Sequence, residues 1–186
     1  MFREITGFSN PLVKRVRSLR DKKGRREEGL FLAEGLRILT EALDAGRAPD
    51  MLWFSSESAR HPLVETLVAA TEAHGGEVFV TPRDILSKIS GKDNPGAVIG
   101  IYPEHWTPLA DIDRTKAPIW MVAERLRDPG NLGTILRTGD AVGAGGLILI
   151  DDCTDPFSVE AVRASMGALF TQSISKASWP EFIAWL

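Results

Sequence analysis

Arg137 is the residue whose type and setting could do chemistry in the stretch Glu124-Arg125-Leu126-Arg127-Asp128-Pro129-Gly130-Asn131-Leu132-Gly133-Thr134-Ile135-Leu136-Arg137-Thr138. Arginine holds its charge at any working pH and presents a rigid fork of donors that suits phosphate or ribose oxygens. The stretch follows a strand-like apolar run and opens a helix. That places it at the carboxyl end of a strand, where α/β sheets bind ligands. Asn131 is suited to cap the helix, and Gly130 and Gly133 let a ligand or another segment approach the backbone. Leu132, Ile135, Leu136 and Val142 form the apolar stripe. Arg137 lies away from its centre, beside Gly133 and Asp140. The residues alone leave two readings open. One is a surface Arg137–Asp140 pair worth about 0.2–0.5 kcal/mol; the other is an arginine free to reach a phosphate or ribose.

Weaker signals reduce to bland explanations. Gly143-Ala144-Gly145-Gly146 precedes a strand, whereas a dinucleotide-binding glycine loop follows one. Asp151-Asp152 has no third ligand in view and reads as a solvated strand end, so no metal is implied. Cys153 is the single cysteine, which excludes an internal disulfide and a cysteine metal cluster. It reads as a small residue after a strand. His61, His74 and His105 are scattered and receive no role.

Charge is unevenly spread. The chain carries a formal −3, yet residues 1–30 hold nine basic groups against four acidic ones. A basic arm on an acidic body is the footprint of a local polyanion contact. Lys14, Arg15, Arg17, Arg25 and Arg26 are its candidate residues for contact with RNA or DNA. The competing reading is a solvated helix face. No apolar run is long enough to span a bilayer, and residues 1–10 lack a secretory apolar region, so a cytoplasmic location is expected.

The elements alternate as in an α/β protein. Asn10-Pro11 opens a helix carrying Leu12, Val13, Val16 and Leu19, which Gly24 breaks, leaving Arg25–Gly29 as an exposed connector. Strands are expected at 30–33, 51–54, 77–80 and 97–102, and helices at 35–45, 62–74 and 82–89. The Pro-rich segment 103–117 reads as a linker between a domain over 1–102 and one over 118–186. In the second domain, strands are expected at 119–123, 147–150 and 169–174. Helices are expected over about 132–142, from Asp155-Pro156 to about Ser165, and at 181–186. The nearly all-apolar run 147–150 belongs at the centre of a parallel sheet.

The stretch Asp128-Pro129-Gly130-Asn131-Leu132-Gly133-Thr134-Ile135-Leu136-Arg137-Thr138 resembles the first signature motif of the SpoU (TrmH) RNA 2′-O-ribose methyltransferases, and Ala141-Val142-Gly143-Ala144 continues it. Arg163-Ala164-Ser165-Met166-Gly167-Ala168-Leu169-Phe170 resembles a second conserved-type segment of that family. Ser9-Asn10-Pro11-Leu12-Val13-Lys14, the run from Arg25 to Gly35, and Ser90-Gly91-Lys92-Asp93-Asn94-Pro95-Gly96 resemble its substrate-binding domain. The resemblance implies an N-terminal ribosomal-protein-like α/β substrate-binding domain followed by a partial SPOUT (α/β knot) methyltransferase domain.

It also implies a reaction: transfer of a methyl group from S-adenosylmethionine to a ribose 2′-hydroxyl of rRNA or tRNA, by a homodimer in the full-length family member. Asn131 and Arg137 carry over as its active-site residues. Because arginine loses its proton only above a pKa of about 12, orientation and charge stabilisation suit Arg137 better than base catalysis. Two further family motifs, a Gly-Asn-Glu-type loop and a Ser-Leu-Asn-type segment, form the knot that holds the cofactor, and neither occurs in these 186 residues. The expectation is therefore a chain truncated before the knot, with cofactor-binding residues unassigned. The alternative is a non-catalytic RNA-binding fragment acting through residues 1–102. A third reading, an unrelated nucleotide-binding α/β protein, is disfavoured by the first motif.

Overall fold

The computed structural model describes residues 2–186, which divide into two compact units, one ending at Glu104 and the other beginning at His105. In the first unit, β1 (Arg3–Glu4) precedes α1 (Pro11–Ser18), α2 (Lys22–Glu28), β2 (Leu30–Glu34) and α3 (Leu36–Asp44). These are followed by β3 (Met51–Ser55), α4 (Pro62–His74), β4 (Glu77–Thr81), α5 (Arg83–Ser90) and β5 (Val98–Pro103). The five-stranded sheet has the order β1-β4-β3-β5-β2. β4 pairs in parallel with β1 and β3, and β5 pairs antiparallel with β2 and β3. Its core forms around Trp53 and Phe79, which are fully buried with rings stacked at 4.5 Å. Burying each such side chain contributes roughly 1.5–3 kcal/mol. A T-shaped contact between Phe2 and Phe54 adds to the N-terminal edge.

α1 starts where the sequence places it. Pro11 occupies its first turn, and the Asn10 side chain accepts from the Leu12 amide at 2.9 Å. The expected connector after it is instead helical. α2 runs to Glu28 and stops at Gly29, whose φ of 65° only glycine adopts freely. Gly24 does not break the chain; it sits inside α2, where a Cβ would collide with the Ser18 carbonyl. This short helix has no apolar stripe and is fixed by tertiary contact.

The second unit holds β6 (Met121–Glu124), α6 (Pro129–Ala141), β7 (Gly146–Ile150), α7 (Val159–Ser165), β8 (Ser173–Ala177) and α8 (Trp179–Trp185). Its three strands form a parallel sheet in the order β6-β7-β8. β7 lies at the centre with every residue buried, as its unbroken apolar run requires. Residues 105–117 are not a free linker. They carry a short 3₁₀ turn at Leu109–Asp111, and Ile112 and Ala117 are buried; Ile112 packs with Ile148, Ile150 and Phe182. The last strand falls later than expected, because Ala168–Phe170 is a 3₁₀ turn. α7 begins after Ser158, whose side chain caps the Ala161 amide. α8 starts at Trp179 behind a capping box in which Ser178 and Glu181 bond reciprocally. Those bonds from Ser178 hold the Glu181 carboxyl below its ordinary range. Among the described residues, no helix is long and apolar enough to cross a membrane.

Candidate active site and nucleic-acid face

The helix bearing Asn131 and Arg137 begins earlier than the sequence suggested. Asp128, not Asn131, is its cap: the Asp128 carboxylate accepts from the Asn131 amide at 2.5 Å, and Pro129 fills the first turn. The Asn131 side chain is therefore free of capping duty and is exposed on the first turn of α6. Arg137 is also exposed and, among the described residues, makes no ion pair. The surface Arg137–Asp140 pair does not form; Asp140 instead accepts from the Thr171 hydroxyl at 2.6 Å. Helical geometry sets Asn131 and Arg137 about 9 Å apart along the axis and about 120° apart around it. Thr134 lies between them on the same exposed face.

The buried face of α6 explains why the two sequence segments occur together. Leu132, Gly133, Leu136 and Gly139 are buried. A Cβ at Gly133 would stand 2.5 Å from the Ala164 Cβ, 2.6 Å from the Ala161 carbonyl oxygen and 2.7 Å from the Ser165 amide. Only hydrogen at position 133 lets α7 lie so close, so the Arg163-Ala164-Ser165 segment is docked directly onto the helix that carries Asn131 and Arg137. Past α7 the chain reverses through Met166 and Gly167, both with positive φ. Arg163 is exposed on that helix.

At the carboxyl ends of β6 and β7 the two following loops are latched together. The Thr154 amide donates to the Leu126 carbonyl at 2.6 Å, the Leu126 amide to Cys153 Sγ at 3.3 Å, and Cys153 Sγ to the Ile150 carbonyl at 3.3 Å. Cys153 is thus a strand-end tie, in keeping with its reading as a small structural residue. Arg127 pairs with Asp152. Arg125 lies 3.8 Å from both Glu124 and Asp151 carboxylates. Arg125 and Asp151 both sit in the left-handed backbone region, at φ 49° and 57°.

The basic arm separates into three kinds of residue. Lys14 and Arg17 are exposed on α1 and, with Arg20, line a cleft of about 450 Å³. Arg15 pairs with Glu28 at 2.7 Å, and Arg26 is exposed. Arg25 corrects the expectation: it is only 3% exposed, and its guanidinium donates to the carbonyls of Leu19 and Arg20, both at 2.9 Å. It is a structural cation tying the end of α1 to α2, withdrawn from any RNA contact. Sequence reasoning passed over Arg20 and Lys88, which line a second cleft together with Arg17. Their signal was present in the charge count of the arm and in the segment preceding Gly91, but only the fold brings them together.

Comparison with known proteins bears on both units. The sequence model of the SpoU rRNA Methylase family matches residues 118–186, and that of the MRM3-like substrate binding domain matches residues 10–100. The crystal structure of an rRNA methyltransferase from Sinorhizobium meliloti superposes with a TM-score of 0.89 at 44% identity, over 99% of this chain and 68% of that one. The chain belongs to the SpoU rRNA methylase family. The AdoMet-bound form of the S. meliloti protein matches this SpoU chain with a TM-score of 0.90 at 43% identity, over the same shares of the two chains. An uncharacterized tRNA/rRNA methyltransferase of Synechocystis is 35% identical over 88% of the chain and 58% of its own length. The 23S rRNA (guanosine(2553)-2′-O)-methyltransferase RlmP of Bacillus subtilis is 25% identical over 97% of the chain and 68% of its own. The SpoU chain thus spans about 58% of the Synechocystis relative's length.

Proposed function

We propose that this chain serves methyl transfer to a ribose 2′-hydroxyl of rRNA or tRNA, with the first unit holding the RNA and α6 presenting Arg137 to the reacting ribose. The observation that carries this reading is Arg137 itself, exposed and without an ion pair among the described residues, on a helix docked through Gly133 onto the Arg163-Ala164-Ser165 segment. A permanently charged, unpaired guanidinium orients a ribose or its phosphate and stabilises charge developing on the 2′-oxygen. Asn131, with its side chain released from capping, is the second substrate-facing group. Lys14, Arg17 and Arg26 supply phosphate contacts in the first unit.

S-adenosylmethionine would supply the methyl group, as the AdoMet-bound relative suggests. The polar groups at the ends of β6 and β7 are engaged with one another: Arg125 with Glu124 and Asp151, Arg127 with Asp152, and Asp151 with the Trp179 amide. One second reading, an RNA-binding chain without methyl transfer, is supported by Lys14, Arg17 and Arg26, exposed on the first unit. Exposed Ile119, Val122, Val142, Trp179 and Ile183 on the second unit support pairing of two copies in the active protein.

Incubation of the chain with tritiated S-adenosylmethionine and large-subunit rRNA tests the proposal. Label in alkali-resistant dinucleotides, lost in Arg137→Ala, is the expected result. RNA retained without label supports the second reading, and label on bases overturns ribose transfer.

A further inference from the structure

In the first unit, α1, α5 and the loop after α5 enclose a cleft of about 310 Å³. Arg17 and Arg20 project from one wall and Lys88 from the other, all three exposed and none in an ion pair among the described residues. The Arg20 guanidinium lies flat against Gly91, so close that any Cβ there would collide with it, and the φ of 72° at Gly91 independently favours glycine. This is a close approach of a charged planar group to bare backbone.

The walls are fixed from behind. Buried Arg25 bonds to the Arg20 carbonyl at 2.9 Å and so holds the backbone that carries Arg20. On the other side, the Glu34 side chain is only 7% exposed. It accepts from Lys92 Nζ at 2.6 Å and from the Gly96 amide at 2.7 Å, while Ser87 Oγ donates to the Lys92 carbonyl at 2.5 Å. Lys92 is thereby neutralised, and the free positive charge in the cleft belongs to Arg17, Arg20 and Lys88. Three carboxylates also border it or its neighbour: Asp21, Asp84 and Asp93. Asp21 stands at the N-cap position of α2 without a side-chain cap bond, and Asp84 lies in the first turn of α5, so with Asp84 and Asp93 counted against Arg17, Arg20 and Lys88 the cleft keeps an excess of positive charge.

We propose that this cleft seats a phosphodiester of the RNA backbone, with Arg20 and Lys88 as the contacting cations from opposite walls. The inference rests on the reading of the chain as an RNA-modifying protein and deepens it by assigning where the backbone is gripped. Cations on two walls of one cleft can converge on one phosphate, the backbone carrying Arg20 is already tied by Arg25, and arginine and lysine on a phosphate contribute through charge rather than base identity.

The test is fluorescence anisotropy of a labelled large-subunit rRNA hairpin on the full chain across a series of KCl concentrations. Arg20→Gln and Lys88→Gln are each expected to weaken binding roughly tenfold at low salt and to lower the slope of log affinity against log salt by about one. The double variant should lower the slope by about two. Arg60→Gln, an exposed arginine away from the cleft, should leave the slope unchanged. Near-ultraviolet circular dichroism confirms that each variant is folded. Wild-type binding that Arg20→Gln and Lys88→Gln leave untouched overturns the cleft and spares the RNA reading. A wild-type chain that fails to bind the hairpin overturns both.

Discussion

Gly133 rests against Ala164 with no room for a methyl group between them: a Cβ at 133 would stand 2.5 Å from the Ala164 Cβ. Two of the three nearest atoms at that site, the Ala161 carbonyl oxygen and the Ser165 amide, are backbone and cannot swing aside. Gly133→Ala brings a helix-propensity gain of about 1 kcal/mol. Against it stands an overpacking cost of about 1–3 kcal/mol together with a shift of α7. The overpacking is expected to win. Thermal denaturation should show a lower midpoint, and methyl transfer should fall with it because the Arg163-Ala164-Ser165 segment moves relative to Arg137.

Arg137→Ala should separate function from folding. The side chain is exposed and unpaired among the described residues, so stability should change by no more than about 0.5 kcal/mol. The transfer rate at saturating RNA should drop on the order of a hundredfold. Arg137→Lys should recover little, since an ammonium lacks the planar fork. A denaturant titration beside a rate measurement checks both halves.

Arg25 and Arg26 are adjacent and should behave oppositely. Arg25→Met removes the donors that satisfy the Leu19 and Arg20 carbonyls and should destabilise the first unit by about 1–3 kcal/mol. Arg26→Met, at an exposed position, should leave stability within about 0.5 kcal/mol. Urea unfolding of the two variants gives the comparison.

Tyr102 is the chain's single tyrosine, so phenolate absorbance reports on one residue. Burial pushes its phenol well above the ordinary value of about 10. The folded state then keeps a proton that the unfolded state releases. Its stabilising contribution is intact below pH about 10 and is lost as pH rises further. Phenolate absorbance should therefore appear late and together with loss of the far-ultraviolet dichroism, rather than as a separate titration near pH 10.

Much of this architecture was legible in the sequence, and the failures have definite causes. β7 was readable because a fully buried central strand must be apolar throughout. β8 was misplaced because its residues Ser173–Ala177 are mostly polar, while the apolar Leu169-Phe170 just before them form a 3₁₀ turn. α2 was invisible to periodicity: its residues are charged apart from Gly24, and burial of an arginine holds it. The cap of α6 was misjudged between two capable residues, although Pro129 directly after Asp128 already marked the first turn. Arg137 was legible as a candidate because a helix opening with glycines after a strand is a local pattern, and Asn131 through the resemblance of the motif around it. The pairing of Arg20 with Gly91 was not, because it joins segments brought together only by the packing of α1 against α5.

Arg125 and Asp151 close adjacent strands in a backbone conformation that costs a non-glycine residue roughly 1–2 kcal/mol apiece. Glycine at 125 would relieve that tension, whereas glycine at 151 would also give up the carboxylate that accepts from the Trp179 amide. A laboratory selection for heat resistance should therefore find Arg125→Gly early, and in doing so would strip a cation from the rim between β6 and β7. Thermal tolerance and charge at this rim are then expected to trade against each other, and a version thermostabilised at 125 would be the wrong material in which to measure what the rim does.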